Sequence, residues 1–478
     1  MKFSLQQSGA FWPNAIVQDI GDSMIFSNKN KILFIMMMAS FLTPFTSSAL
    51  TLSLPDIGRD YGASPNELGW VLEVFLLASI VCLLPMGKLA DRLGKRRIFL
   101  WGTILFTVSS ALCIVTPGMV FLLAARALQG VAAAMLFATN MSIVALSFPK
   151  EQRGRALGWM VSMVYVGLGC GPVLGGLLNY YTGWQSIFVF ITLVCLACVI
   201  ATMRYLHQEW LEQDTTGTDG WGALLYGLAM LLAMFGLSEL AELSWGWMAL
   251  ASGLLLFVSF LRHERKTRNP ILPVHIFVEN RSFSLSNLAA MINYSATFAI
   301  SFLLSIYLQS ILGLTSREAG IMMLIQPLVM ALLSPLAGKL SDTHAPTWIA
   351  TLGMTITAIG ILGLAVAVHL QSFWLVVPVV VVIGVGFAFF AAPNNNAIMG
   401  SVAKHQYSLA TSMIGTVRLV GQVVSVAIVT MVLSLDWDAL TPGAGLMRNI
   451  EISFVVFTVL CVIGILPSVA RSISRDQA

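Results

Sequence analysis

Apolar runs of about twenty residues recur from one end of this 478-residue chain to the other. That is the length a helix needs to cross about 30 Å of hydrocarbon at about 1.5 Å per residue. Fourteen spans are read, at residues 32–54, 67–86, 98–116, 119–147, 156–179, 186–205, 221–240, 245–261, 283–311, 318–337, 347–368, 373–400, 409–433 and 450–469. Lipid offers a backbone no hydrogen-bond partner, so each is expected to be helical. Composition agrees: 57% of residues are hydrophobic and 10% charged, against about a quarter charged in soluble domains. A chain of this kind cannot cover itself with polar side chains in water. The composition excludes an ordinary cytosolic enzyme, a secreted disulfide scaffold and a disordered tail. The expected class is an all-α polytopic membrane protein.

The 26 Lys and Arg nearly balance the 22 Asp and Glu, and nothing in that balance calls for a nucleic-acid partner. Their placement is more informative. With fourteen spans, all the basic residues fall on one face except Arg59, Arg317 and Arg448 opposite and Arg126 and Arg418 within spans. The positive-inside rule makes the basic face cytoplasmic, with both termini there. Lys29 and Lys31 precede a first span too long for a signal-peptide core, so no cleavable signal is expected. Residues 1–31 are read as a cytoplasmic segment, in which Phe11, Trp12, Ile16 and Ile20 suit either an interfacial helix or an unstructured tail. Residues 470–478 form a short cytoplasmic tail.

Gly87-Lys-Leu-Ala-Asp91 after span 2 is echoed by Gly338-Lys-Leu-Ser-Asp342 after span 10, and each follows an apolar helix containing proline, Pro85 or Pro335. Two copies of a six-helix unit would then occupy 32–205 and 282–469, with 206–281 a two-helix insert and its flanking loops. Two similar halves around a midplane site are a transporter design. The first copy continues as Gly87-Lys88-Leu89-Ala90-Asp91-Arg92-Leu93-Gly94-Lys95-Arg96-Arg97, a tight turn with a dense basic cluster. Asp91 is placed to accept donors from a helix N-terminus and to pair with Arg92.

Arg126 lies inside span 4, where an arginine costs about 2.5–3.5 kcal/mol on insertion scales and must face protein or water. It pairs either with Glu73, at matching depth in span 2, or with main-chain carbonyls. Gly167-Leu-Gly-Cys-Gly171-Pro172-Val-Leu-Gly175-Gly176 strips side chains from one face of span 5 and lets another helix approach closely. The six cysteines all lie in spans, and Cys195-Leu-Ala-Cys198 has no second pair to complete a metal site. There is no phosphate-binding G-x-x-x-x-G-K-[ST] loop. The expectation is no cofactor, no metal and no ATP hydrolysis by the chain itself.

These motifs resemble the major facilitator superfamily over essentially the whole chain. The 87–97 loop is similar to the loop between that family's spans 2 and 3, Arg126-Ala-Leu-Gln-Gly130 to its R-x-x-Q-G, and 167–176 to its antiporter motif G-x-x-x-G-P-x-x-G-G. Fourteen spans, Pro393-Asn-Asn-Asn396 and Thr416-Val-Arg418-Leu-Val-Gly-Gln422 resemble the drug:proton antiporter branch. The resemblance implies a major facilitator fold, with two six-helix bundles and two inserted helices. It also implies an exporter by alternating access in the cytoplasmic membrane, working as a monomer on a small amphiphilic or cationic substrate. By resemblance, Gly87, Asp91, Arg92, Gly94 and Arg96, with Gly338 and Asp342, form a latch, and Asp91 engages the N-terminal end of span 13.

The chain departs from the branch where that branch carries an acid in span 1, since Thr46 stands there. In span 2 it reads Trp70-Val-Leu-Glu73-Val-Phe75 where the branch has W-x-x-T-x-Y. The proton site is therefore expected at Glu73, tuned by Arg126. Candidate cavity residues are Thr46, Trp70, Asn140, Asn293, Tyr294, Gln326, Asn395 and Arg418, though uncharged polar residues inside spans also serve simply to join helices. Arg418 and the asparagines of 394–396 are expected to be neighbours. A lipid or metabolite exporter on the same fold is the alternative. A membrane-embedded enzyme would need a convergent His/Asp/Ser cluster that the sequence lacks.

Overall fold

The computed structural model describes residues 14–51, 53–211, 217, 219–240, 244–435 and 444–473. Among these, fourteen helices are long and apolar enough to cross a membrane, and there is no strand. Spans 1–6 are Lys29–Thr51, Glu67–Leu93, Lys95–Ile114, Met119–Ser147, Lys150–Thr182 and Gln185–Tyr205. Spans 7 and 8 are Gly220–Ser238 and Gly246–Glu264. Spans 9–14 are Arg281–Ile311, Glu318–Thr343, Pro346–His369, Phe373–Ser401, Lys404–Leu433 and Gly445–Arg471.

Each expected span meets one of these helices, but several helices outrun the apolar stretch that marked them. Span 5 begins at Lys150 and includes Glu151, Arg153 and Arg155, because hydropathy records where hydrocarbon begins and not where helical hydrogen bonding stops. The first span is corrected in the other direction. It ends at Thr51, and Leu54 opens a separate short helix, Leu54–Tyr61, with proline in its first turn and Gly62 closing it at φ 61°. Upstream, the helix of span 1 continues back to Asn14; Phe11 and Trp12 lie outside the described residues. Span 9 is broken near Phe298 and ends in a π-turn, Tyr307–Ile311. The Ala299 N–H in that break donates to Ser425 Oγ of span 13 at 3.0 Å, so that donor is not left facing hydrocarbon.

Within the first half, span 1 packs on span 5 and span 4 on spans 2 and 3; within the second, span 12 packs on spans 10 and 11, and span 14 on spans 9 and 11. The halves meet where span 5 crosses span 10 and where span 13 lies against spans 2 and 4. The insert is not a free linker. Spans 7 and 8 pair so closely that a β-carbon at Gly253 would sit 2.3 Å from the Ala233 main-chain nitrogen. Span 7 then leans on spans 2 and 13, and Tyr226 donates its hydroxyl to the Ile80 carbonyl at 3.0 Å.

The glycine stripe of span 5 has a structural partner in span 1. A β-carbon at Gly167 would lie 2.5 Å from the Phe41 carbonyl, one at Gly171 1.8 Å from Ser48 Oγ, and one at Gly175 2.7 Å from the Ala49 carbonyl. Ser48 Oγ also donates to the Gly167 carbonyl at 3.3 Å. Helices in lipid gain affinity from close packing of this kind. Gly171→Val is therefore expected to destabilise the detergent-solubilised protein by about 1–3 kcal/mol through overpacking, read as a lowered thermal midpoint. Gly69→Ala, where nothing lies within 4 Å, serves as the control and should leave the midpoint unchanged.

Candidate functional site

The two halves are sealed together at the end of the molecule that carries the basic loops. Gly154 of span 5 and Gly338 of span 10 face each other, and a β-carbon at Gly338 would be 2.2 Å from the Gly154 carbonyl. That absence of side chains lets the Asp342 carboxylate reach two main-chain donors in the first turns of span 5, Gly154 N at 2.6 Å and Arg155 N at 2.9 Å. Beside it, Arg153 donates from Nε to Asn396 Oδ1 and from a terminal nitrogen to the Tyr407 hydroxyl, both at 3.0 Å. Asn396 passes the chain on to Ser341 Oγ at 2.9 Å. Spans 5, 10, 12 and 13 are thus joined by one polar network. The contact continues along spans 5 and 10 through Ser162, which donates to the Ala331 carbonyl at 2.6 Å, as far as Gly169 and Pro327.

The first copy of the motif is built differently. Asp91 does not take donors from span 13 and does not pair with Arg92. Its carboxylate holds Lys95 Nζ at 2.6 Å, and both side chains are buried. Gly87 still gives close approach to span 13, since a β-carbon there would stand 3.1 Å from Ser412 Cβ and 3.3 Å from the Ser408 carbonyl. The expected carboxylate-to-helix contact is therefore realised at Asp342, in the second copy. The amino end of span 3 is instead served by Glu209, which accepts from Arg96 N at 2.9 Å. Gly94, at φ 105°, leaves room for it: a β-carbon would meet the Glu209 carboxylate at 2.5 Å. A carboxylate over a helix N-terminus is favourable, and Glu209 was not singled out from sequence because it lies far along the chain from the motif.

Of the two pairings open to Arg126, the main-chain carbonyl is the one taken, and among the described residues no ion pair joins it to Glu73. Arg126 Nε donates to the Val71 carbonyl at 2.9 Å, a terminal nitrogen donates to Gln129 Oε1, and the guanidinium lies 4.5 Å from the Phe75 ring centre. Gln129 in turn donates to Ser110 Oγ at 2.7 Å. Gly130 lets span 2 approach, and Ser79 Oγ donates to its carbonyl at 3.0 Å. R-x-x-Q-G is thus a bolt through spans 2, 3 and 4, and carbonyls rather than a carboxylate are the acceptors. Glu73 is half-buried on span 2, two residues beyond the carbonyl that Arg126 takes.

The candidate cavity residues separate into groups. Trp70 stacks on Phe235 of the insert at 5.6 Å, and Phe235 on Trp245 at 5.5 Å. Asn140 joins span 4 to span 1 through Ser40 Oγ at 2.8 Å and the Met36 carbonyl at 3.2 Å. Thr46 donates back to Leu42 of its own helix at 2.7 Å. Asn394 holds Arg471 of span 14 and donates to the Ser286 carbonyl at 3.3 Å; Asn395 is buried. The asparagines therefore serve Arg153 and Arg471, and no hydrogen bond joins them to Arg418.

Arg418 lies instead at an aromatic junction between the halves. Its guanidinium is 4.4 Å from the Phe137 ring centre of span 4, and Tyr165 of span 5 and Tyr294 of span 9 are its electrostatic neighbours. Phe387 of span 12 meets Tyr165 at 5.8 Å and Tyr294 at 5.6 Å, both edge-on. Asn293 is buried with neither amide atom hydrogen-bonded, and Gln326 is buried on span 10. Tyr294 and Arg418 were expected from sequence. Phe137, Tyr165 and Phe387 were not, because a ring at an interface between halves reads no differently in sequence from one facing lipid.

The Major Facilitator Superfamily model matches residues 36–261 and 287–477. The chain belongs to the major facilitator superfamily. Among characterised members it is 29% identical over 389 residues to the riboflavin transporter RibZ of Clostridioides difficile, covering 81% of this chain and 84% of that one. It is 28% identical over 394 residues to the multidrug resistance protein Stp of Mycobacterium tuberculosis, 80% and 72% covered. The methylenomycin A resistance protein of Streptomyces coelicolor is 27% identical over 380 residues, 78% and 79% covered. Two solved structures share the fold. The human organic anion transporter MFSD10 has a TM-score of 0.69 at 13% identity, over 92% of this chain and 99% of that one. The proton:xylose symporter XylE has 0.66 at 14%, over 92% and 95%.

In a major facilitator fold the two halves pivot about their junction, so a seal at one end is a conformational lock. Hydrogen bonds to a charged group contribute about 1.5–3 kcal/mol each, and Asp342 makes two of them across the seal. Asp342→Asn is expected to open the basic end, raising the maleimide-labelling rate of an Ala331→Cys reporter at least tenfold. Asp91→Asn, whose carboxylate bonds only within its own half among the described residues, should change that rate by less than about threefold, within one factor of ten per 1.4 kcal/mol.

Proposed function

We propose that this protein is a proton-coupled antiporter that exports amphiphilic compounds by alternating access. It sits in the cytoplasmic membrane as a monomer, with the basic end and both termini in the cytoplasm. The observation that carries the reading is the construction of span 5. One glycine face is locked on span 1 through Gly167, Gly171 and Gly175, while the other, through Gly154 and Gly158, meets span 10 across the halves. A helix fixed to its own half by one face and packed closely on the other half by a second is placed to carry movement between them. Two relatives named for resistance, to multiple drugs and to methylenomycin A, support export of compounds foreign to the cell.

Proton coupling needs a carboxylate that is exposed in one state and covered in the other. Glu73 meets the requirement of place: it is a carboxylate half-buried inside span 2. Taking up a proton removes the charge whose burial is costly, so the loaded carboxyl can be covered by the closing halves. Releasing the proton at the other face restores the charge and opposes closure. The riboflavin-transporting relative favours a second reading, export or import of a metabolite on the same machinery.

Proteoliposomes with an imposed pH gradient test both. An amphiphilic dye should accumulate only with the gradient and be lost with an uncoupler, and Glu73→Gln should slow this uptake at least tenfold while leaving gradient-independent dye exchange intact. Uptake of riboflavin with no uptake of dyes selects the metabolite reading. Full proton-driven transport by Glu73→Gln removes Glu73 from the coupling site.

A further inference from the structure

Three buried arginines, Arg126, Arg153 and Arg471, are each held by protein acceptors, and the half-buried Arg418 of span 13 is not. Arg126 is bonded to Val71 and Gln129, Arg153 to Asn396 and Tyr407, and Arg471 to Asn394 and Ser468. Each guanidinium is given protein acceptors, as a cation inside a bilayer requires. Arg418 is not. It stands in the middle of span 13, forms no ion pair or hydrogen bond among the described residues, and its Nε is buried with no partner. Among the described residues no carboxylate forms an ion pair with it, and its electrostatic neighbours are the Tyr165 and Tyr294 hydroxyls. Its guanidinium lies over the face of Phe137 at 4.4 Å, a weak substitute for an anion.

The surroundings supply more donors and no negative charge. Neither Tyr165 nor Tyr294 hydrogen-bonds through its hydroxyl to another described residue, so two phenolic donors accompany the guanidinium. Phe387 meets both tyrosine rings, with centroids 5.8 Å from Tyr165 and 5.6 Å from Tyr294, and Phe137 meets the same guanidinium. Phe137 and Tyr165 come from the first half, and Tyr294, Phe387 and Arg418 from the second, so the site is assembled only where the halves join. A planar guanidinium suits a carboxylate or sulfonate in bidentate geometry, and ring faces and edges suit a flat aromatic body. An acceptor-free cation beside two free hydroxyls selects against a cationic ligand, which would meet repulsion and no counter-charge.

We infer that the junction of Arg418, Tyr165, Tyr294, Phe137 and Phe387 is a binding site for a planar aromatic anion, with Arg418 as the group that holds its carboxylate or sulfonate. This rests on the exporter reading for its place in transport, and it reverses the charge expected of the substrate. Transport then carries the anion's charge past the seal region bound to the protein's own cation, and the proton is assigned to Glu73.

The test compares two dyes with one ring system and opposite charge, fluorescein and tetramethylrhodamine methyl ester, by fluorescence anisotropy on the purified full-length protein with no gradient present. The wild type should bind fluorescein at least tenfold more tightly. Arg418→Gln should weaken fluorescein at least tenfold and leave the rhodamine unchanged or tighter, and Arg418→Lys should recover part of the loss. Without dye, Arg418→Gln should unfold at the same temperature as the wild type or higher, since it breaks no bond; a residue placed for structure would lower it. Tighter rhodamine binding by the wild type, parallel loss of both dyes in Arg418→Gln, or no binding of either dye overturns the assignment. Because no gradient is used, any of these outcomes with proton-driven transport intact refutes the anion site alone, whereas loss of gradient dependence with selective fluorescein binding refutes the coupling and leaves the site.

Discussion

Two helices in a bilayer gain nothing from hiding one leucine against another, because the lipid is as apolar as the partner. The architecture therefore depends on places where side chains are missing and backbones touch. Span 5 is the clearest. Gly167, Gly171 and Gly175 bring it within backbone contact of span 1, and Gly154 and Gly158 bring it within backbone contact of span 10. The insert follows the same rule at Gly236, Gly246 and Gly253. At Gly167 and Gly154 the absent β-carbon also lets a main-chain carbonyl or amide come within reach of a polar group on the neighbouring helix. Ser48 on Gly167 and Asp342 on Gly154 are the two contacts. Close packing and polar fastening are one device here.

The polar fastening in turn explains where the few buried charges can stand. A guanidinium has five donors, and a helix interface offers mostly carbonyls and amides. Arg126 is placed beside the Val71 carbonyl and supplied with Gln129 from the next turn of its own helix. Arg153 and Arg471 draw on Asn396 and Asn394, two residues apart on span 12. The asparagine run is thereby a distribution point: one amide serves the seal between halves, another the packing of span 14. A cation lacking such provision stands out against this background, and that contrast gives Arg418 its meaning.

Much of the architecture was legible because hydrophobic length and the backbone's need for hydrogen bonds leave a chain this apolar few options. All fourteen spans and the two-copy arrangement could be read on that basis. The helix ends could not, since Lys150 to Arg155 continue the helix of span 5 beyond the apolar stretch and Pro55 starts a new one after span 1. Motif residues were found, but one partner was left open and another misassigned. Depth along a span matched Arg126 to Glu73, yet depth says nothing about which way a side chain turns around the helix, and Arg126 turns to the Val71 carbonyl. Asp91 was matched to span 13, but Lys95, one helical turn away across Gly94, is a nearer charge. Trp70 was assigned to the cavity on its position in span 2, and the insert covers that face. The rings of Phe137, Tyr165 and Phe387 went unnoticed because only the meeting of halves distinguishes them from other aromatics.

The two copies of the G-K-L-x-D turn show how a repeat can keep its packing and divide its chemistry. Gly87 and Gly338 do the same work, each admitting a helix of the opposite half, span 13 in one case and span 5 in the other. The aspartates do not. Asp342 spans the halves, while Asp91 is drawn to Lys95 within its own. The junction of spans 2 and 13 thus lacks the carboxylate that fastens spans 5 and 10, and it is at this junction that span 7 of the insert lies, in contact with both helices and bonded to span 2 through Tyr226 and the Ile80 carbonyl. The inserted helices stand against the side of the molecule whose polar fastening has been given up. Span 13 is tied to the first half instead through span 5, by the bond from Arg153 to the Tyr407 hydroxyl. Among the described residues, the carboxylate hold between the halves at the basic end is the Asp342 contact on span 5.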